Sequence, residues 1–250
     1  MASSIASTYD DLAAGYERFG ASASPELYAT LREVGLASDA RVLDLGVGTG
    51  LASEPLASEG ALITGIDPAG AMLRYAKARL PRAQLVQGRA EALPFPAASF
   101  DAAIAADVFH LLDQPVAIGE LVRVVRKGGL IAVWWQTLST ESDVLGHRAG
   151  ATHDTGLDPV PEPLAGGFRA FYGGDGFADR TVRAIPALIR TTVDDWMGLE
   201  RARAELRAAY GMQSGRWLDA LENRLVRAYG ARDARLDVRT LQYLYLGRTS

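Results

Sequence analysis

The chain has 250 residues, of which 48% are hydrophobic and 22% are charged. This length suits one globular domain with a sizeable core, so we expect residues 1–250 to form a single domain. The net charge of -4 argues against a general nucleic-acid-binding protein, because phosphate recognition usually requires a basic surplus. The lack of cysteine excludes disulfides and thiol nucleophiles. No secretory segment or membrane-spanning apolar run is found, which predicts a cytoplasmic protein without a membrane partner.

Strand and helix patterns alternate as far as about residue 135. Pro68 and Pro81 bound a helix predicted over Ala69–Leu80, and Gln114-Pro115 opens another. Such alternation predicts an α/β fold with a doubly wound, mostly parallel sheet that is covered by helices on both faces. The predicted strands lie near 41–45, 61–66, 83–87, 101–106 and 129–135.

The pattern changes after residue 135. Glycine and proline are frequent between 136 and 180, which predicts a long loop over the active site. We expect residues 136–230 to form this loop and a helical cap that includes the sixth strand, with the last strand at 235–247. The later elements are predicted as a strand over Thr181–Ile189 that is interrupted by Pro186, helices over Asp194–Tyr210 and Arg216–Tyr229, and a strand over Leu236–Leu246.

The most informative motif joins the first two predicted strands. The run Val42-Leu43-Asp44-Leu45-Gly46-Val47-Gly48-Thr49-Gly50 passes from an apolar strand into glycines, which let the backbone turn sharply and approach a ligand. Asp67 follows Gly46 by 21 residues, where a carboxylate at a strand tip can accept hydrogen bonds from both hydroxyls of a ribose. The glycine spacing differs from the G-x-G-x-x-G of a dinucleotide site. The pattern therefore predicts a bound nucleoside.

This D-x-G-x-G-x-G form resembles motif I of the class I S-adenosylmethionine (SAM) dependent methyltransferases. Three later segments resemble the same family in the expected order: 87–95 the stretch that frames the adenine, 100–110 the fourth strand that faces the transferred methyl, and 122–131 the turn into strand five. Together they cover roughly 40–135, the expected SAM-binding core. The chain most resembles the ubiquinone/menaquinone-biosynthesis-like branch of small-molecule methyltransferases. The resemblance implies SAM as cofactor and a seven-stranded Rossmann-like fold.

In this family the glycines contact the amino-acid part of SAM and the later acid holds the ribose. Alternative roles remain open at several positions: Asp44 could satisfy backbone amides, Asp67 could cap a helix, Met72 could be a core residue and Glu91 a solvated loop acid. The candidate cofactor-binding residues are Tyr16, Asp44, Gly46, Gly48, Thr49, Gly50, Asp67, Pro68, Met72, Arg89, Ala90, Glu91 and Asp107.

The amino-terminal segment repeats apolar residues at helix spacing. Tyr9, Leu12, Tyr16 and Phe19 predict a helix, and the resemblance implies that helices within 1–35 close over SAM as a lid. Core packing is the alternative. The candidate acceptor-binding residues are Tyr9, Phe109, His110 and Trp135.

Methyl transfer from a sulfonium is an in-line displacement in which the positive charge is dispersed. A dry pocket with aromatic walls can therefore supply much of the rate through positioning and desolvation. His110 is the candidate catalytic base if the acceptor must lose a proton; alternatively it only shapes the pocket. His147 and His153-Asp154 lack a third ligand at a recognisable spacing, so no metal site is expected.

We expect a small-molecule methyl acceptor, no nucleic-acid partner, and a monomer or homodimer. The methylated atom could be oxygen, nitrogen or carbon. Two other functions remain open: a SAM-fold protein that binds the cofactor without methylating, such as a cyclase-like enzyme, and a nicotinamide dehydrogenase, which the glycine spacing disfavours. A nucleic-acid amino-methyltransferase is less expected, because Asp107-Val108-Phe109-His110 lacks the Pro-Pro-aromatic sequence that stacks a flipped base.

Overall fold

The structure is a computed structural model that describes residues 2–20, 22–160 and 176–250, with side chains from residue 7 onward. Its strands are β1 (Arg41–Leu45), β2 (Leu62–Asp67), β3 (Gln84–Gln87), β4 (Phe100–Ala106), β5 (Val125–Leu138), β6 (Phe177–Thr192) and β7 (Arg235–Thr249). In the described residues they form one sheet in the order β3-β2-β1-β4-β5-β7-β6. Strands β1 to β5 pair in parallel, and β7 runs antiparallel to both β5 and β6. The predicted α/β class with a doubly wound, mostly parallel sheet is confirmed.

Helices cover both faces of this sheet. Three of the described helices begin at a side chain that caps the first turn. The Ser24 hydroxyl accepts from Leu27 N, the Asp113 carboxylate from Val116 N, and the Thr192 hydroxyl from Asp195 N. The helices are α1 (Ala2–Phe19), α2 (Pro25–Glu33), α3 (Glu54–Ser58), α4 (Gly70–Arg79), α5 (Gln114–Val124), α6 (Asp143–Thr155), α7 (Val193–Arg201), α8 (Ala204–Tyr210) and α9 (Ser214–Tyr229).

Successive strand residues alternate between two buried cores. Val42 and Trp134 pack in the core on one face of the sheet, whereas Leu43 and Trp135 pack in the core on the other. Since both faces are buried, the central strands are apolar almost throughout, as parallel strands usually are. The order of strands reverses between β1 and β4, and ligands of open α/β sheets bind in the crevice at this point.

The prediction of a loop over 136–180 is wrong for the first half of that range. Residues 136–138 continue β5, and α6 follows at Asp143–Thr155. Glycine usually disfavours a helix, but Gly150 lets α6 approach α9: a Cβ on this residue would lie 2.2 Å from the Arg224 guanidinium carbon. Residues 161–175 lie outside the described residues.

Other predicted elements are confirmed with shifted boundaries. The helix predicted over Asp194–Tyr210 is two helices, because the chain turns at Arg203 with an extended backbone before α8 begins. The strand predicted over Thr181–Ile189 is not interrupted, since β6 lies at the sheet edge, where Pro186 is tolerated opposite Leu241.

The cap is the layer formed by α6, α7, α8 and α9 over the ends of β6 and β7. These elements share one apolar cluster that includes Val144, Met197, Leu206, Leu221 and Leu236. Helix α1 packs against α4 and also against α7 of the cap. Among the described residues, no helix has both the length and the apolar character that crossing a bilayer requires.

Candidate functional site

A cavity of about 330 Å³ lies at the carboxyl ends of β1, β2, β4 and β5. Cavities of this size and position bind small ligands in α/β proteins. The predicted site residues that line it are Tyr9, Tyr16, Gly46, Gly48, Thr49, Asp67, Pro68, Met72, Arg89, Ala90, Glu91, Asp107, His110 and Trp135. The residues that sequence reasoning missed include Leu51, Val108, Trp134, Gln136, Arg148, Trp196, Arg203, Glu205 and Gln242. We call the part next to the glycine loop the cofactor half and the part beneath the cap the acceptor half.

The glycine loop leaves open space in the cofactor half. Gly48 has φ +53°, and a Cβ built on it would find no heavy atom nearer than Gly46 O at 4.0 Å. Since Gly48 lines the cavity, any side chain here would occupy ligand space. The loop thus offers bare backbone to a bound molecule.

Asp67 connects the glycine loop to the start of α4. One carboxylate oxygen accepts from Gly48 N at 3.0 Å and the other accepts from Ala69 N at 2.8 Å. Burial raises the pKa of Asp67, and these two hydrogen bonds oppose the rise. A carboxylate can accept about four hydrogen bonds, so two remain for a ligand. The backbone contacts also show that the helix-start role and a ligand role are compatible.

Asp44 does not line the cavity. It is fully buried, and its Oδ2 accepts from Ser53 Oγ at 2.6 Å. Burial raises its pKa to about 7, with the Ser53 hydrogen bond lowering it and the charge of Asp67 raising it further. Asp44 therefore holds the segment that follows the glycine loop and does not reach the ligand space directly.

The stretch after β3 forms the wall at the far end of the cofactor half. Arg89 and Glu91 pair at 3.3 Å, and Glu91 Oε1 also accepts from Asp113 N at 3.1 Å. Met72 is 3% exposed, packs in the cluster shared by α1 and α4, and also lines the cavity. Met72 is therefore both a core residue and part of the cavity wall.

Helix α1 covers the cavity from outside the sheet. Asp10 accepts from Ala71 N at 2.7 Å at the start of α4, and Glu17 pairs at 2.8 Å with Arg79 at the end of the same helix. Tyr9 and Tyr16 line the cavity with ring centroids 6.1 Å apart. Burial raises the pKa of both phenols above its usual value, so both are neutral and can donate hydrogen bonds.

Asp107 directly follows β4 and has an unusual backbone conformation. Its φ is +52°, which non-glycine residues rarely adopt, and its Oδ1 accepts from Gln136 N at 2.8 Å. Burial raises its pKa to about 6, while the Gln136 hydrogen bond and the charges of His110 and Arg203 act in the opposite direction. This geometry turns the chain so that the following residues reach the acceptor half.

His110 lies in the 3-10 turn Phe109–Leu111 that follows β4. Its Nε2 is 3.5 Å from Glu205 Oε1, and its ring centroid is 5.4 Å from that of Trp135. Its side chain is 14% exposed. His110 is thus enclosed between a tryptophan of β5 and a carboxylate of the cap.

Three predicted site residues do not line the cavity: Asp44, Gly50 and Phe109. Phe109 is 0% exposed and packs in the core between α5 and the sheet, so it does not reach an acceptor in this structure. Gly50 needs its φ of +87° at the turn, and a Cβ there would meet Leu80. The neighbouring residues Gly48 and His110 face the ligand space instead.

The residues missed from the cap carry no recognisable local signal. Arg148 is in the segment predicted as a loop, and Arg203 and Glu205 are two charges in a sequence rich in charges. Trp196 could have been suspected from its size alone. Among the described residues, no group of three or more His, Cys, Asp and Glu side chains could hold a metal ion.

The cofactor half suits the SAM implied by the resemblance. The open backbone at Gly48 can face the amino-acid part, the free capacity of Asp67 can accept from ribose hydroxyls, and Met72 offers an apolar surface to the adenine. This fit rests on the residues present and their arrangement. It does not extend to the acceptor.

Comparisons with known proteins find likenesses to methyltransferases. Residues 43–133 match the family model described as a methyltransferase domain. An uncharacterized methyltransferase of Mycobacterium tuberculosis is 36% identical over 154 residues, which are 60% of this chain and 62% of that protein. A demethylmenaquinone methyltransferase of Renibacterium salmoninarum is 38% identical over 101 residues, 40% of this chain and 43% of that protein. The matches therefore span less than two thirds of these relatives.

Solved structures share the fold over most of the chain. A proposed type II methyltransferase from Anaeromyxobacter dehalogenans has a TM-score of 0.69 at 26% identity, covering 89% of this chain and 95% of that one. Haemonchus contortus phosphoethanolamine N-methyltransferase 2, in complex with S-adenosyl-L-methionine, has a TM-score of 0.57 at 18% identity, covering 96% of this chain and 57% of that one. The second likeness concerns the fold alone.

Proposed function

We propose that this chain is a class I SAM-dependent methyltransferase and that it transfers the methyl group of SAM to a small molecule held in the acceptor half of the cavity. The observation that supports this most is the continuity of one cavity from Gly48 and Asp67 to His110. A ligand in the cofactor half and an acceptor beneath the cap would therefore meet without crossing a wall.

The cofactor half would hold SAM through the glycine-loop backbone, the Asp67 carboxylate and the apolar surface of Met72. SAM, when bound, supplies an electrophilic methyl group on a positively charged sulfur. Tyr9 and Tyr16 lie over the cavity from α1, where their partly buried rings exclude water and can favour the positive charge through their faces.

The acceptor half suits a small molecule of aromatic or amphipathic character. Trp134, Trp135 and Trp196 provide flat apolar walls, and the cap covers the cavity from above. Excluding water from this space favours the dispersed charge of the displacement over the separated charge of the reactants. In-line positioning of the acceptor would supply most of the remaining rate enhancement.

His110 would take the proton when the acceptor has one to lose. Histidine is the side chain that commonly exchanges a proton near neutral pH, and among the described residues that line the cavity His110 is the histidine. Carbon, oxygen and nitrogen acceptors differ in whether a proton must be removed from the methylated atom. The base role is therefore part of the proposal only for acceptors that must be deprotonated.

Two measurements test the proposed function. Calorimetry with SAM, S-adenosylhomocysteine and NAD should show binding of the first two and none of the third, because the glycine spacing and Asp67 suit one nucleoside. Mass spectrometry after incubation with SAM and a panel of small aromatic and amphipathic acceptors should then show a product heavier by one methylene. Tight SAM binding without any methylated product would favour a binding protein, and NAD binding without SAM binding would exclude the methyltransferase.

A further inference from the structure

A histidine and a glutamate from distant parts of the chain meet in the acceptor half. His110 follows β4 in the sheet layer, whereas Glu205 is the second residue of α8 in the cap. The two side chains are 14% and 21% exposed, and His110 Nε2 lies 3.5 Å from Glu205 Oε1. Catalytic hydrogen bonds are often this long in ligand-free proteins and shorten when the complex forms.

The charges around the histidine come from three elements. Asp107 approaches from the end of β4, Arg203 from the link between α7 and α8, and Glu205 from α8. Tyr16 of α1 and Trp135 of β5 complete the surroundings as neutral rings. Burial would raise the pKa of Glu205, but the close approach of His110 and the charge of Arg203 oppose it, and the pKa is lowered. Glu205 is therefore ionised at neutral pH.

The pair retains hydrogen-bonding capacity. Within the part of the chain that the structure describes, both ring nitrogens of His110 and Oε2 of Glu205 are buried without a hydrogen-bond partner. Buried polar atoms are nearly always paired, so unpaired ones in a cavity point to a partner that arrives with a ligand or with a small side-chain rotation.

We propose that Glu205 is the positioning residue for His110, and that the pair serves an acceptor whose nucleophilic atom carries a proton. This inference rests on the proposed function. The Glu205 carboxylate holds the imidazole with its proton on Nε2, which leaves the lone pair on Nδ1. It also stabilises the imidazolium after proton transfer, as an acid does behind the histidine in hydrolytic triads.

The proposed step is balanced without any further reactant. The acceptor's proton moves to Nδ1 of His110, the electron pair that it leaves forms the bond to the methyl carbon, and the carbon–sulfur bond breaks with its pair going to sulfur. The products are the methylated acceptor, the neutral thioether and a protonated His110. An O–H or N–H acceptor fits this step, whereas a carboxylate acceptor has no proton to lose and needs no base.

Nuclear magnetic resonance of the histidine rings tests the pair without a known acceptor. The chain has three histidines, so the His110→Phe spectrum assigns the His110 signals by difference. With saturating S-adenosylhomocysteine, the ¹⁵N shifts should place the proton of the neutral ring on Nε2. In Glu205→Gln the midpoint of the His110 titration should move to lower pH by roughly one unit, because an adjacent negative charge is removed.

Two variants make the result decisive. Glu33→Gln removes the same charge from a surface ion pair with Arg183 and should leave the His110 midpoint unchanged. Glu205→Asp keeps the charge and should give a midpoint closer to wild type than Glu205→Gln does. An unmoved midpoint in Glu205→Gln, a neutral ring protonated on Nδ1, or equal shifts in the Asp and Gln variants would each overturn the inference. The calorimetry of wild-type protein with SAM decides the proposed function separately.

Discussion

The two halves of the cavity are built in different ways. The cofactor half is formed largely by backbone within one stretch of the chain, with Gly48 N and Ala69 N both bonded to Asp67. The acceptor half is formed by side chains from α1, β5, the turn after β4, and α6, α7 and α8 of the cap with the link between α7 and α8. A site made from contiguous backbone leaves a motif in the sequence. A site made from scattered side chains leaves none.

The two halves also differ in how buried charges are stabilised. At the cofactor half, backbone amides donate hydrogen bonds to Asp67, and behind the cavity wall the Ser53 hydroxyl donates one to Asp44. In the acceptor half, side chains stabilise a buried charge, as the charge of Arg203 and the close approach of His110 do for Glu205. Substitutions in the first should therefore change cofactor binding, and substitutions in the second should change the reaction.

The largest expected effect is in the glycine loop. Gly48→Val should abolish binding of SAM and S-adenosylhomocysteine in calorimetry, because the branched side chain enters the cavity and its φ of +53° is strained for valine. Gly128→Val is the matched control: Gly128 has φ +70° with open space around it and does not line the cavity. Loss of SAM binding in both variants would mean that backbone strain, not ligand contact, explains the result.

The next largest effect is expected at His110, where a substitution should change the rate of methyl transfer rather than the affinity for SAM. For an acceptor that loses a proton, His110→Ala should lower the single-turnover rate by roughly 10²–10⁴-fold at unchanged SAM affinity, which is the usual contribution of a general base. His110→Phe keeps the ring volume and should not restore the rate. An active His110→Phe with the wild-type pH profile would assign the residue to pocket shape, the alternative that the sequence leaves open.

A smaller loss of affinity is expected at the ribose position. Asp67→Asn keeps one acceptor but removes the charge, and should weaken SAM binding by about 1.5–3 kcal/mol, the scale for hydrogen bonds to a charged group. Asp10→Asn is the control, because Asp10 also accepts from a backbone amide of α4 but does not line the cavity. Equal losses in the two variants, measured by calorimetry, would show that α4 is disturbed and would remove the ribose assignment.

The remaining effect is on the stability of the fold and its pH dependence, and it does not involve ligand binding. The pKa of Asp44 is about 7 in the folded protein against an ordinary value of 3.8, so the folded state binds this proton more tightly and stability falls as the pH rises from about 4 to about 7. Asp44→Asn keeps an acceptor for Ser53 and should remove a decrease of about 2–4 kcal/mol between these limits. Urea unfolding at pH 5 and pH 8 measures the change.

Asp101→Asn is the control for Asp44→Asn, because the pKa of Asp101 is lowered rather than raised. Hydrogen bonds from Arg41 hold the pKa of Asp101 far below its ordinary value, so its contribution is present at both pH 5 and pH 8 and is lost only at lower pH. This variant should lower stability by similar amounts at the two pH values. If Asp44→Asn behaves in the same way, the burial of Asp44 does not control the pH dependence.

The two halves of the cavity also differ in how much of their lining could be predicted from the sequence. Asp67 and Gly48 are predictable because a strand, a glycine turn and a second strand are consecutive in the chain. Glu205 is not, because its role depends on α8 folding back over the sheet, and no local pattern records that contact. Helix α6 was not predicted for a related reason. In the sequence Gly150 indicates a helix break, and only the structure shows that Arg224 approaches this residue closely.

The sequence by itself determined the layered fold and the place of the cofactor half, because hydrophobic periodicity and glycine turns act over a few residues. It also singled out His110 as a candidate base. Only the tertiary structure decided that Phe109 is buried in the core while His110 reaches the cavity, since one 3-10 turn directs the two side chains to different sides. It alone brought Glu205 to His110, because packing of the cap joins residues that are distant in the chain.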